Sequence, residues 1–312
     1  MLLWIDSRKE APLDHPKLSL GSWAFAFGPF ADDPWPFARV LAFVADAGYD
    51  GVEINGFAPH PHPDQYDTPA KCRELVAEIE GYGLGISGYA PTFADAPPAV
   101  VEPQVYLDVL GRYLTFCQRC GIRTLRVDTV SPPLPLPADE YQARFARLVG
   151  TWRAAARTAA DAGVTLVWEF EPGFWLNKPS EVVRVVEAVD HDHFKLLFDT
   201  SHAYMGAVVG ARQTGDPETL PGGVAEYARM LGDQIGHLHL IDSDGSLHDQ
   251  ETSTHTAFGE GNVDFGQALA AIRPVVGGLP WWCVDFCFNP RTPTAGRDAV
   301  PFVRGLMQEV LR

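Results

Sequence analysis

Positive charge is scarce in this chain. Its 24 Lys and Arg residues stand against 40 Asp and Glu, a formal net charge of −16. No Lys/Arg cluster relieves that imbalance locally, so a polyanion such as nucleic acid is not an expected partner. No apolar run approaches the length of a membrane span, so no membrane association is expected. No basic start followed by an apolar core opens the chain, and a secretory signal is not expected. Cysteine is sparse and odd in number: Cys72, Cys117, Cys120, Cys283 and Cys287, at irregular spacings. The expectation is a reduced, cytoplasmic protein. Cys117 and Cys120 form a lone CxxC inside a helical pattern, which reads as buried helix cysteines rather than a zinc or redox pair. Two further absences bear on the fold. No Gly-rich phosphate turn follows the first apolar run, which argues against an open dinucleotide-binding sheet. No linker-like break or low-complexity tract divides the chain.

What is present is an even alternation of short apolar runs and helical patterns. The runs are 17–23, 48–54, 84–90, 122–129, 164–171, 194–200, 236–242 and 279–286. Helical patterns follow over 35–47, 69–82, 104–120, 138–162 and 179–189, a broken region over 202–232, then 264–276 and 297–311. In 138–162, Tyr141, Phe145, Leu148, Trp152 and Ala155 recur at spacings of three and four, one face of a helix. Runs rich in Val, Ile and Leu without strict alternation suit strands buried on both faces. Strand–helix alternation argues for a parallel sheet. Together these predict a single α/β domain over 1–312, an eight-stranded parallel (β/α)8 barrel. Such barrels carry their catalytic groups where the strands end.

At those ends the sequence places metal-preferring side chains. Glu169, Asp199, His239 and Asp285 each lie in or at the end of an apolar run, just before a loop. Side chains two apart in a strand share a face, so Glu169 pairs with Glu171, and His237 with His239. Carboxylates gathered in a barrel lumen repel unless a cation joins them. Three carboxylates and an imidazole make a hard, mostly oxygen site suited to manganese, magnesium or cobalt, with zinc possible. Plainer readings stand beside this one. Asp199 or Asp285 alone can cap a helix or turn, and His237 reads as a satisfied core histidine.

These motifs resemble the xylose-isomerase-like TIM barrels, which include tagatose and psicose epimerases, inosose dehydratases and endonuclease IV. GYDGVEI is similar to that family's second strand and GVTLVWE to its fifth, whose Glu binds metal; this implies Glu169 as a ligand. LLFDTSHAY resembles the sixth-strand D-x-x-H, implying Asp199 as ligand and His202 as a substrate contact. GHLHLID resembles the seventh, implying His239 as ligand, and FGEGNVDF the Gly-rich turn beyond it. One departure is plain: the epimerases end the eighth strand with Glu, whereas this chain has Asp285, one methylene shorter. The endonuclease branch needs further histidines. His60 and His62, in the proline-broken loop after the second run, read as exposed or lid residues instead.

The segment from Asp242 to Asp264 is long and polar, and is read as a lid. Its DSDG resembles the start of a calcium loop but has no Glu at the twelfth position. Within it, His255 is the candidate mobile substrate contact. Trp23, Phe25, Trp168 and Trp175 either stack on a sugar or pack; Trp23 and Trp175 are retained as candidate substrate contacts.

The resemblance implies a divalent-metal enzyme, manganese foremost, that enolises a keto-sugar or related polyol ketone. Glu169 or Asp285 would remove the proton, and Glu171 or His202 would assist. Epimerisation, isomerisation and β-elimination, as in inosose dehydratases and C-glycoside-cleaving subunits, all leave from that point. The alternative from another class is a non-catalytic sugar-binding or partner-dependent subunit. A homo-oligomer or partner subunit is compatible with either.

Overall fold

The computed structural model describes residues 15–249 and 251–312. Residues 1–14, on which the signal expectation rests, lie outside the described residues. Eight strands run in chain order and close on themselves: β1 (Lys17–Gly21), β2 (Gly51–Asn55), β3 (Gly85–Ala90), β4 (Thr124–Val127), β5 (Thr165–Glu169), β6 (Phe194–Asp199), β7 (Ile235–Leu240) and β8 (Trp281–Val284). Every pairing is parallel, and Leu18 opposite Trp282 is part of the register that closes β1 on β8. The fold is the predicted (β/α)8 barrel.

Helices α1 (Phe37–Ala47), α2 (Pro69–Gly81), α3 (Pro103–Cys120), α4 (Ala138–Asp161) and α5 (Pro179–Val189) follow the first five connections closely to prediction. Pro stands in the first turn of α2, α3 and α5, where its missing N–H has no intrahelical partner to lose. The broken region resolves into α6 (Thr200–Tyr204), a π-turn over Met205–Val209 and, after a loop, α7 (Gly223–Leu231). The pattern at 264–276 divides. α8 (Phe265–Ala270) stops before Ile272, which leaves the helical region, and α9 (Arg273–Gly278) restarts with Pro in its first turn. The last helix, α10 (Thr292–Leu311), begins five residues before the predicted start at 297. Cys117 and Cys120 are free, buried residues of α3. No helix among the described residues is long and apolar enough to cross a membrane.

Alternation along each strand sorts its residues into two layers. Leu18, Val52, Leu125, Trp168, Phe198, Leu238 and Trp282 join the core between barrel and helices. There the predicted face of α4 packs, with Trp152 5.2 Å from the Trp168 ring and 5.1 Å from Phe194. The intervening positions turn toward the barrel axis. Glu53 of β2 meets His237 and His239 of β7, strands that are not neighbours, so the contact crosses the lumen. The lumen is therefore polar at the end where the site lies.

Candidate functional site

Parallel strands deliver their C-terminal residues to one rim. Glu169 ends β5, Asp199 ends β6, His239 lies one residue before the end of β7, and Asp285 directly follows β8. One donor atom from each of the four lies within 4.8 Å of the others, and all four residues are buried. His239 Nδ1 is 3.1 Å from Glu169 Oε1 and 3.5 Å from Asp285 Oδ2.

Each member is held from behind. Asp199 serves in both ways the sequence allowed: Oδ1 accepts the His202 N–H at 2.8 Å and caps α6, while Oδ2 is buried without a hydrogen-bond partner. Asp285 Oδ1 accepts from Trp23 Nε1 at 2.7 Å and from the Cys287 N–H at 2.8 Å, leaving Oδ2 toward His239. Glu169 Oε2 accepts from Arg126 Nε, leaving Oε1 toward His239. Arg126 also reaches Asp128 at 3.0 Å and Glu171 at 3.4 Å. Three carboxylates around one guanidinium leave the fourth direction of the site open to a second positive charge.

Behind His239 stands Glu53, a residue the sequence reading passed over. Its carboxylate accepts from His237 Nε2 at 2.7 Å and lies 3.4 Å from His239 Nε2. His237 is thus a satisfied interior histidine, but its partner is a carboxylate shared with a rim residue. Gly88 of β3 makes room for that group, since a Cβ there would stand 3.2 Å from the Glu53 carboxyl. Glu53 and Arg126 both carried a signal, a charge inside an apolar run, as did Glu169.

The loop after β7 completes the rim. Thr252 donates its hydroxyl to Glu171 Oε2, and Ser253 Oγ lies 2.7 Å from His202 Nδ1. His202 Nε2 is 4.0 Å from both Glu169 and Glu171. His255 is buried, with Nδ1 3.3 Å from Asp285 Oδ1. These groups line a cavity of about 370 Å³ together with Trp23 and several partly exposed phenyl rings. Trp175 does not line it: its ring packs edge-on to Tyr141 in the core, 5.4 Å away. Phe25 and Trp168 are core residues too. His60 corrects the expectation of an exposed or lid residue. It is fully buried, with Nε2 3.1 Å from the Trp35 carbonyl and Nδ1 3.1 Å from Ser22 Oγ. Ser22 and Trp35 fold over it, so the loop turns its histidine inward.

The protonation pattern follows from burial and crowding. Burial pushes Asp199 up to about 7, with His255 opposing and Asp285 adding to the rise. Burial also raises Glu171 to about 7 against the pull of Arg126. Burial lowers His202 to about 3. For Asp285 burial works upward, but His255 and His239 outweigh it and hold the carboxyl well below its usual range. A buried carboxylate oxygen with no donor, facing two further carboxylates and an imidazole, fits a divalent cation; the mostly oxygen donor set suits a hard one.

Residues 41–275 match the sequence model of a family described as xylose isomerase-like TIM barrel. The chain belongs to that family. Among its relatives, the D-psicose 3-epimerase of Enterocloster bolteae is 26% identical over 259 residues, covering 79% of this chain and 78% of the relative. The inosose dehydratase of Geobacillus kaustophilus is 24% identical, covering 71% and 67%. A solved D-psicose 3-epimerase with D-tagatose, from Clostridium cellulolyticum H10, superposes with a TM-score of 0.68 at 16% identity, over 93% of this chain and 99% of that one. Epimerases and dehydratases thus stand side by side among the xylose isomerase-like relatives of this barrel, which supports an enzyme at the level of the family.

Proposed function

We propose that this protein, acting as one barrel domain, is a divalent-metal-dependent enzyme that enolises a keto-sugar or a related polyol ketone. The observation that carries the reading is the convergence of Glu169, Asp199, His239 and Asp285 to within 4.8 Å at one rim. These four would hold the metal, with manganese the first candidate and magnesium, cobalt or zinc alternatives. The bound cation would polarise a substrate carbonyl and acidify the neighbouring C–H. The chain's own groups do the rest. Glu169 or Asp285 accepts the proton from carbon, and Glu171 passes or returns one. His202 and His255 orient substrate hydroxyls, His202 fixed by Ser253 at 2.7 Å. Trp23 fixes Asp285 from behind and closes the cavity wall. The names of the relatives, D-psicose 3-epimerase and fructoselysine 3-epimerase, favour proton return and hence epimerisation.

A second outcome at the same site is β-elimination. It is favoured by the inosose dehydratase relative and by Asp285, whose Oδ1 already accepts two hydrogen bonds and which is shorter than the Glu it replaces. The test is incubation of Mn(II)-loaded protein with a panel of ketoses and inososes in deuterated water. Deuterium entering the carbon beside the carbonyl, with all substrate atoms retained, is the epimerase or isomerase result. Loss of water from the substrate is the lyase result. No exchange and no loss with any of them, from protein that holds its metal, overturns enolisation and leaves a sugar-binding or partner-dependent subunit.

A further inference from the structure

The cavity has two chemically distinct ends. Its floor is charged and polar, built from Glu169, Glu171, Arg126 and His202. Its mouth is phenyl. Phe27, Phe57 and Phe288 come from the segments after β1, β2 and β8, and all three line the cavity and are partly exposed. They form one contiguous surface: the Phe27 ring stands 5.2 Å from Phe57, edge-on, and 6.2 Å from Phe288 at 29°. On its other side Phe288 stacks against His248 of the loop after β7, at 4.3 Å and 13°.

The chain accepts backbone cost to build this collar. Phe288 has φ 62, the left-handed region that a bulky side chain rarely adopts. Gly28 makes space beside it, since a Cβ there would stand 2.9 Å from the Phe288 ring. Strain held at the mouth of a cavity points to a task for the ring it places. Packing does not supply that task, because the collar faces the cavity and leaves its outer surface uncovered.

Resting on the enolising reading, we infer that the substrate is a sugar ketone carrying an aromatic group at the end remote from the reacting carbon. A free polyol has hydroxyls along its whole length, and those pressed against phenyl rings lose water without gaining partners. A ligand with a hydroxylated ketone at one end and a planar apolar ring at the other satisfies both ends of the cavity. Its volume, about 370 Å³, lies in the range that takes ligands of that size. The ring would stack within the Phe27, Phe57 and Phe288 collar.

Isothermal titration of the full chain, loaded with Mn(II), tests this with three probes: D-fructose, 1-O-benzyl-D-fructose and 6-O-benzyl-D-fructose. At least one benzyl ether is expected to bind about tenfold tighter than D-fructose. Phe288→Ala and Phe57→Ala should each cut that ratio by about threefold or more. Binding of D-fructose with no preference for either benzyl ether overturns the aromatic subsite and leaves enolisation standing. A preference that survives both substitutions also overturns it. Tight benzyl-ether binding without deuterium exchange on any ketose does the reverse: the subsite stands and the enolising reading falls.

Discussion

Glu53 shows what one side chain inside the barrel can set. A histidine that ligates through one ring nitrogen carries its proton on the other, and the group that accepts that proton fixes the ring. Glu53 lies beside His239 Nε2, so Nδ1 is the nitrogen free to face Glu169 and Asp285. Glu53→Gln should lower Mn(II) affinity by roughly 10–100-fold with the barrel intact by circular dichroism; unchanged affinity in a metal titration would remove Glu53 from this role. His60 makes a second prediction at the same scale. It faces the Ser22 hydroxyl, the Trp35 carbonyl, Asn55 and the Phe37 ring. Burial lowers its pKa from 6.5 to about 4, although the bond to the Trp35 carbonyl works the other way. The unfolded chain therefore binds this proton first, so the stabilising contribution is complete above pH 6.5 and is lost as pH falls toward 4. The loss is roughly 3 kcal/mol at most. In urea unfolding, His60→Gln should show a smaller drop in stability between pH 7 and pH 4.5 than the parent; equal drops would contradict the assignment. The four rim residues were legible because they end apolar runs. Glu53 and Arg126 were not, although each interrupts such a run. A charge inside a strand announces that it needs a partner without naming one, and the partner of Glu53 lies 184 positions away.

The elements were legible where hydrophobic periodicity and proline agree, as in α2, α3 and α5. They were not where the chain bends without an outward sign, as at Ile272 between α8 and α9. The loop after β7 was legible as a feature but not as a structure. Its DSDG reads like the opening of a cation loop, yet Asp242 serves the loop itself. Its carboxylate accepts the backbone N–H groups of Ser243, Gly259, Gly261 and Val263 at 2.9–3.0 Å. A Cβ at Gly261 would collide with that carboxylate, so only glycine permits the approach. This knot anchors the loop that brings Thr252, Ser253 and His255 to the rim. Asp242→Ala strands four donors and should cost on the order of 3 kcal/mol. Gly261→Ala should loosen the loop with the barrel unchanged. Limited proteolysis reads both: cleavage within 243–262 should accelerate in each variant while the strands stay protected. Equal cleavage in parent and variants would mean that the loop is held elsewhere.

At the scale of the whole molecule, the rim is a closure. Segments more than a hundred residues apart in sequence, from Glu169 to Asp285, meet only when β5 through β8 are in place. A cation bound there binds the folded chain and not the unfolded one, so its affinity appears as stability. At a free concentration one hundred times the dissociation constant the gain is about 2.7 kcal/mol. The Tm of the parent should therefore rise by several degrees with added Mn(II) and fall back with EDTA. Asp199→Ala and His239→Ala should abolish the rise, because each removes a member of the four. His202→Ala should keep it, since its ring contacts Ser253 and lies 4.0 Å from the acids without joining those four donors. A parent whose Tm ignores Mn(II), Mg(II), Co(II) and Zn(II) alike would leave the buried oxygen of Asp199 unexplained and end the metal reading. A rise that vanished in His202→Ala would move the cation toward the group formed by Asp199, His202 and His255, whose donor atoms also lie within 4.8 Å of one another. The comparison among three substitutions at one rim thus locates the charge as well as detecting it.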